Sequence, residues 1–130
     1  MLDHVGLTVS DLRRSHAFYD QALAPLGITR MKDFSQADGT GATGYGDTHP
    51  FFWIGTGDKP ASGATAGGAH IAFAAKSRAL VDAFHRAALA AGGQDNGAPG
   101  LRPHYHASYY GAFVFDPDGN NVEAVCRSPA

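Results

Sequence analysis

Displaced by 66 positions, the 130-residue chain aligns with itself, and this duplication limits the possible folds more than any other feature. Ala17 falls on Ala83, Phe18 on Phe84, Ala22 on Ala88, Leu23 on Leu89, Ala24 on Ala90 and Gly27 on Gly93. The same offset sets His4 on His70, Val5 on Ile71 and Leu7 on Phe73. Abundant alanine explains some of these matches. Agreement of Phe, Leu, Gly and His at one offset points to two copies of one unit.

Each copy opens on alternating apolar residues, Val5, Leu7 and Val9 in the first and Ile71 and Phe73 in the second. A period of two marks a strand with one face on a core. A helix follows in each copy. Ser10 or Asp11 can cap the first, whose stripe of Leu12, Phe18, Ala22, Leu23 and Leu26 ends near Gly27. Ser77 can cap the second, where Leu80, Val81, Phe84, Ala88 and Leu89 precede Gly92-Gly93. Strand-like pieces come next: 28–34, 41–46 and 51–54, then a weak piece near Gln94, 109–115 and 121–126. Asp116-Pro117-Asp118-Gly119-Asn120 is turn chemistry that joins the last two as a hairpin. The expected fold class is α+β: two tandem βαβββ modules forming a curled, half-barrel mixed sheet around a cleft. One domain is expected over 1–130, with module one at about 1–58, a linker at about 59–67 and module two at about 68–130.

Composition narrows the partners. A net charge of −2 with no basic stripe predicts no nucleic acid. No apolar run approaches the roughly 18–20 residues of a membrane span, and the start, Met1-Leu2-Asp3-His4, lacks the pattern of a signal peptide. Cys126 is the only cysteine, which excludes an intrachain disulfide and fits a reducing cytoplasm.

Strand alternation assigns faces. With Val5, Leu7, Ile71 and Phe73 under the helices, His4 and His70 project from the opposite side. In the last strand Val122 and Ala124 suit the helix side, which sends Glu123 the other way. If the sheet curls, two histidines and a carboxylate converge as a metal-binding set with open positions. Imidazole and carboxylate suit divalent Fe, Mn, Co, Ni or Zn. The plain alternative for each is a hydrogen-bonded structural or surface residue.

The chain resembles the vicinal-oxygen-chelate superfamily of glyoxalases, bleomycin-resistance proteins and extradiol dioxygenases. Three stretches carry the likeness: His4-Val5-Gly6-Leu7-Thr8-Val9-Ser10-Asp11-Leu12 running into Phe18-Tyr19, then His70-Ile71-Ala72-Phe73, then Phe115-Asp116-Pro117-Asp118-Gly119-Asn120-Asn121-Val122-Glu123. The last is the most specific. The resemblance implies that His4, His70 and Glu123 are the metal ligands, that the modules form an open half-barrel around the ion, and that the chain forms a homodimer. Some members build each site from two chains. Glyoxalase I members also have a glutamate ligand on the fourth strand of module one. Here that strand reads Phe51-Phe52-Trp53-Ile54, without a carboxylate. Fosfomycin enzymes surround their ligand with cations, whereas Lys32, Lys59 and Lys76 are scattered and only Arg102 lies near the expected cleft.

Further residues are expected around the cleft. Pairing across an Asp118-Gly119 turn sets Val114 opposite Glu123 and Tyr110 farther along the same face, where it either donates to a metal-bound oxygen or caps the sheet edge. His104 and His106, in the loop before that strand, are candidates for general acid or base, or solvated loop residues. Of the adjacent Phe52 and Trp53, one should line the pocket and the other the core. His16, His49 and His85 are read as surface residues, and Cys126 as core. The expected activity is a metal-dependent dioxygenase, lyase or isomerase acting on a small oxygenated substrate. The alternative is a non-catalytic small-molecule-binding protein of the bleomycin-resistance type.

Overall fold

The computed structural model describes residues 1–57 and 68–129; the expected linker at about 59–67 lies outside the described residues. Module one runs β1 (Val5–Thr8), α1 (Leu12–Ala22), β2 (Thr29–Asp33), β3 (Gly41–Gly46) and β4 (Pro50–Gly57). Module two repeats the order as β5 (His70–Ala74), α2 (Arg78–Ala90), β6 (Gln94–Leu101), β7 (Tyr110–Phe115) and β8 (Asn121–Cys126). The fold is α+β, with two four-stranded mixed sheets ordered β1-β4-β3-β2 and β5-β8-β7-β6. In each, the first strand pairs in parallel with the last and the remaining pairings are antiparallel.

Local chemistry sets the element ends. The Asp11 carboxylate accepts from the Arg13 N–H and caps α1, while Ser77 accepts from the Leu80 N–H and caps α2. A short 3₁₀ turn after α1 ends at Gly27, whose φ of 76° is a left-handed conformation that glycine tolerates. β6 spans eight residues although Gln94-Asp95-Asn96-Gly97 carries no apolar alternation. Its register with β7 shifts on both sides of Gly97, so pairing with a neighbour, not burial, defines it.

The helix-facing sides of both sheets meet in one core. Phe52 of β4 packs edge-on against Tyr19 at 5.2 Å and against Phe73 of β5 at 5.1 Å, joining the modules. Phe18, Tyr19, Phe52 and Phe84 are fully buried, as is Cys126 to 1% exposure. The duplication thus has a packing reason: each module leaves one apolar helix-and-sheet face that only the other module covers.

A polar joint reinforces this contact. The Asp118 carboxylate, in the β7–β8 loop, receives the Ser10 N–H at 3.2 Å, the Ser10 hydroxyl at 2.5 Å and Arg14 at 2.8 Å. Asp116 accepts the buried Tyr19 hydroxyl at 2.6 Å. The hairpin loop of module two therefore sits on the start of α1 in module one. Ser10 serves this joint, which leaves the helix cap to Asp11.

His16 and His85, expected on the surface, are both buried to 9% exposure. Each stands under a strand with a polar partner: His16 Nε2 lies 2.7 Å from the Thr43 hydroxyl, and His85 Nε2 lies 3.0 Å from Asp95. Burial, reinforced by the Arg30 guanidinium, holds the His16 imidazole below its ordinary range, with Asp33, Asp20 and Asp11 opposing. Between the lowered folded value and the unfolded one, the unfolded chain binds more protons. Stability is therefore lost as pH falls below about 6.5. Thermal unfolding of His16→Gln is expected to show a smaller acid-side drop than wild type, and an equal drop would contradict this role.

Candidate functional site

On the face of module two opposite α2, parallel pairing of β5 with β8 brings His70 beside Glu123. His70 Nε2 lies 2.9 Å from Glu123 Oε1. Glu123 is 1% exposed, and a carboxylate so buried needs a partner for each oxygen. Its second oxygen accepts the Tyr109 hydroxyl. Burial, then the bond to Glu123, pushes the Tyr109 phenol up to about 12, so near neutrality it is a fixed donor.

Tyr109, not Tyr110, is the tyrosine at this site. β7 and β8 pair Phe113 with Glu123 and Val114 with Val122, one residue away from the expected register. The connecting loop holds five residues, 116–120, closed by the Asp116 N–H on the Asn120 carbonyl at 2.9 Å. A two-residue turn at Asp118-Gly119 gives the opposite parity, and a slip of one residue turns every side chain to the other face. Tyr110 therefore points to the helix side, where its hydroxyl donates to Asp82 at 2.7 Å and Arg78 lies over its ring at 5.2 Å. The clue in the sequence was Asp116, whose carboxylate accepts from the Asp118 and Asn120 N–H groups and so lengthens the loop.

The cleft over the pair measures about 560 Å³, with Tyr105, Tyr109 and Phe113 as walls. His104 and Arg127 also line it. Arg127 lies over the Tyr109 ring at 5.0 Å, and Arg102 over the Phe113 ring at 5.4 Å. His104 packs on Tyr105 at 4.2 Å between centroids. His106 is turned into its own loop, where Nδ1 accepts the Ser108 N–H at 3.0 Å.

His4 stands apart from this pair. It is exposed, its Nδ1 is 2.7 Å from Asp3 Oδ1, and it lines a separate cavity of about 440 Å³ with Leu26, Phe51 and Phe73. No cluster of three or more His, Cys, Asp or Glu side chains able to hold a metal occurs among the described residues. The reason is topological. β1 and β5 are edge strands of two different sheets, so the curl of one sheet does not carry His4 to His70.

Strand pairing also defines what module one has in place of Glu123. Val5 pairs with Phe52 where Ile71 pairs with Val122, so Trp53 holds the position equivalent to Glu123. Phe52 is the core member of that pair of aromatics, and Trp53 stacks on Phe34 at 6.2 Å with ring planes 2° apart. The indole lies over Gly44, where an added Cβ would come within 2.9 Å of the ring. Module one thus presents an aromatic shelf where module two presents a carboxylate.

A family model, Glyoxalase/Bleomycin resistance protein/Dioxygenase superfamily, matches residues 1–124. A glyoxalase/bleomycin resistance protein from Albidiferax ferrireducens T118 is 34% identical, with 98% of this chain and 99% of that chain covered and a TM-score of 0.79. A glyoxalase/bleomycin resistance protein/dioxygenase family enzyme from Burkholderia phytofirmans PsJN shares the fold at 18% identity, covering 97% of this chain and 98% of its own, with a TM-score of 0.69. A lactoylglutathione lyase from Agrobacterium tumefaciens shares it at 18% identity, covering 97% and 92%, with a TM-score of 0.67. No curated protein matches the chain. No helix among the described residues is long and apolar enough to cross a membrane.

Proposed function

This chain belongs to the glyoxalase/bleomycin resistance protein/dioxygenase superfamily, and from that premise we propose that it is a divalent-metal-dependent enzyme whose site is completed by a second copy of itself. His70 and Glu123 are two of the ligands, and His4 of the second copy is the third. The observation that carries this reading is the 2.9 Å approach of His70 Nε2 to Glu123 Oε1 on an open cleft.

The donor set fits a borderline divalent ion, Fe, Mn, Co, Ni or Zn, since it combines imidazole nitrogen with carboxylate oxygen. His4 suits the third position because Asp3 engages its Nδ1 and leaves Nε2 facing outward, the usual arrangement behind a ligating imidazole. His4 immediately precedes edge strand β1 and His70 opens edge strand β5, so a homodimer that brings β1 of one copy to β5 of the other completes the set. Such an ion, once bound, supplies Lewis-acid charge to the oxygens of a small chelating substrate. Tyr109 holds Glu123 in its orientation and keeps its own proton. Phe113 and Tyr105 exclude water from the walls of the cleft. The general acid or base in this proposal is His104, which faces the cleft; neither Tyr110 nor His106 does. Trp53, in the place of a carboxylate, leaves module one without a glutamate to move a substrate proton, so the proposed reaction is dioxygenase-like or lyase/isomerase-like and not that of glyoxalase I. The reducing cytoplasm, argued from the buried thiol of Cys126, belongs to the same proposal.

Elemental analysis of protein purified without chelator or metal-affinity tag is expected to find about one ion per chain. Mixing two inactive variants locates the third ligand. Dimers of His4→Ala or of His70→Ala should hold no metal, while mixed dimers should regain roughly one ion each, because one of their two sites is then intact. No recovery on mixing would place the site within one chain. A protein that stays empty after dialysis against each ion favours small-molecule binding without catalysis, for which the apolar cavity beside Phe51 and Phe73 is available.

A further inference from the structure

The cleft of module two holds positive charge that the His70–Glu123 pair does not neutralise. Arg127 is exposed one residue past β8, with its guanidinium 5.0 Å over the Tyr109 ring. Among the described residues it forms no ion pair. Among the described residues Glu123 is the one carboxylate lining the cleft, and both of its oxygens are taken, by His70 and by Tyr109. Arg102, over Phe113, adds a second guanidinium near this face, with one nitrogen on the Ala98 carbonyl at 2.9 Å.

A guanidinium held by an aromatic face keeps its fork of donors for a ligand, whereas one held by a salt bridge does not. We propose that the substrate of this cleft is a small organic anion, with a carboxylate adjacent to its chelating oxygen, and that Arg127 anchors the carboxylate. This rests on the reading of the cleft as the substrate site. A planar fork meets a carboxylate with two parallel hydrogen bonds, which selects for that group over a neutral oxygen. The Tyr105 and Phe113 rings give the rest of the molecule an apolar slot, so a hydroxy acid carried on a ring fits better than an extended chain.

Calorimetric titration with salicylate and with its neutral counterpart, salicyl alcohol, tests the inference on wild type, Arg127→Gln and Arg127→Lys, with metal content measured on the same samples. Wild type is expected to prefer salicylate by about tenfold or more. Arg127→Gln should erase that preference and Arg127→Lys should restore only part of it, since an ammonium lacks the fork. Equal affinities in wild type, a preference that survives in Arg127→Gln, or no binding of either compound overturns the inference whatever the metal content. An Arg127-dependent preference in a protein that carries no metal sustains the anion site and overturns the metal reading.

Discussion

His70→Ala is expected to lower bound metal from about one equivalent per chain to under about a tenth, with the fold retained. The imidazole is one of three ligands in the proposed set, and the one carboxylate and one imidazole that remain, Glu123 and His4 of the second copy, hold a transition ion weakly. The fold should survive because the His70 side chain is 53% exposed, whereas Phe73, on the other face of β5, is 6% exposed and carries the packing. Loss of the bond to Glu123 should reduce stability by about 1 to 3 kcal/mol, since Tyr109 still satisfies one carboxylate oxygen while the other loses its partner. Elemental analysis beside thermal unfolding checks both halves. Unchanged metal content in the folded variant removes His70 from the ligand set.

Asp116→Ala should be the most damaging single change outside the apolar core, costing about 3 kcal/mol or more. Asp116 is 4% exposed and accepts four hydrogen bonds: the Tyr19 hydroxyl at 2.6 Å, the Asp118 and Asn120 N–H groups at 2.9 and 2.8 Å, and Asn120 Nδ2 at 2.9 Å. Truncation leaves a buried hydroxyl and buried amide groups without an acceptor, and a stranded donor costs more than a bond is worth. Burial, with the Asp116 and Asp118 charges beside it, pushes the Tyr19 phenol well above its ordinary range, so it cannot answer by losing its proton. Tyr19→Phe removes one of the four bonds and should cost about 1 kcal/mol. Denaturant unfolding of both variants and of the double variant measures the coupling. A loss below 1 kcal/mol for Asp116→Ala would show that the loop is not the joint between modules.

The duplication was legible as identities at one offset, and both helices, the Ser77 cap of α2 and the presence of the β7–β8 hairpin were legible because each rests on neighbours within a few residues. The cap of α1 stayed open between Ser10 and Asp11 until Ser10 was seen on Asp118. Ser77 caps α2 with its own side chain, and Val122 and Ala124 alternate with Glu123 along one strand. Period-two alternation put His4, His70 and Glu123 alike on the face away from the helices, but which of the three lie side by side was not legible, because that follows from the pairing of β5 with β8. β6 was faint, because its residues bury little and only its partner β7 holds it straight. The buried His16 and His85 gave no signal, since a histidine under a strand reads like one on a helix surface until Thr43 and Asp95 are seen beside them.

The sequence by itself determined the two modules, their order of elements and the sides from which the chemistry-bearing residues project. Tertiary structure decided which of them meet. The number of residues in the 116–120 loop set the parity of β7 against β8, and with it the choice of Tyr109 over Tyr110. The separation of the strands into two sheets, each with its own free edge, held His4 away from His70. Local patterning sets only the direction of a side chain from its own backbone. Distances between elements depend on how Phe52, Phe73 and the two helices pack, and that arises only when both modules bury the same core.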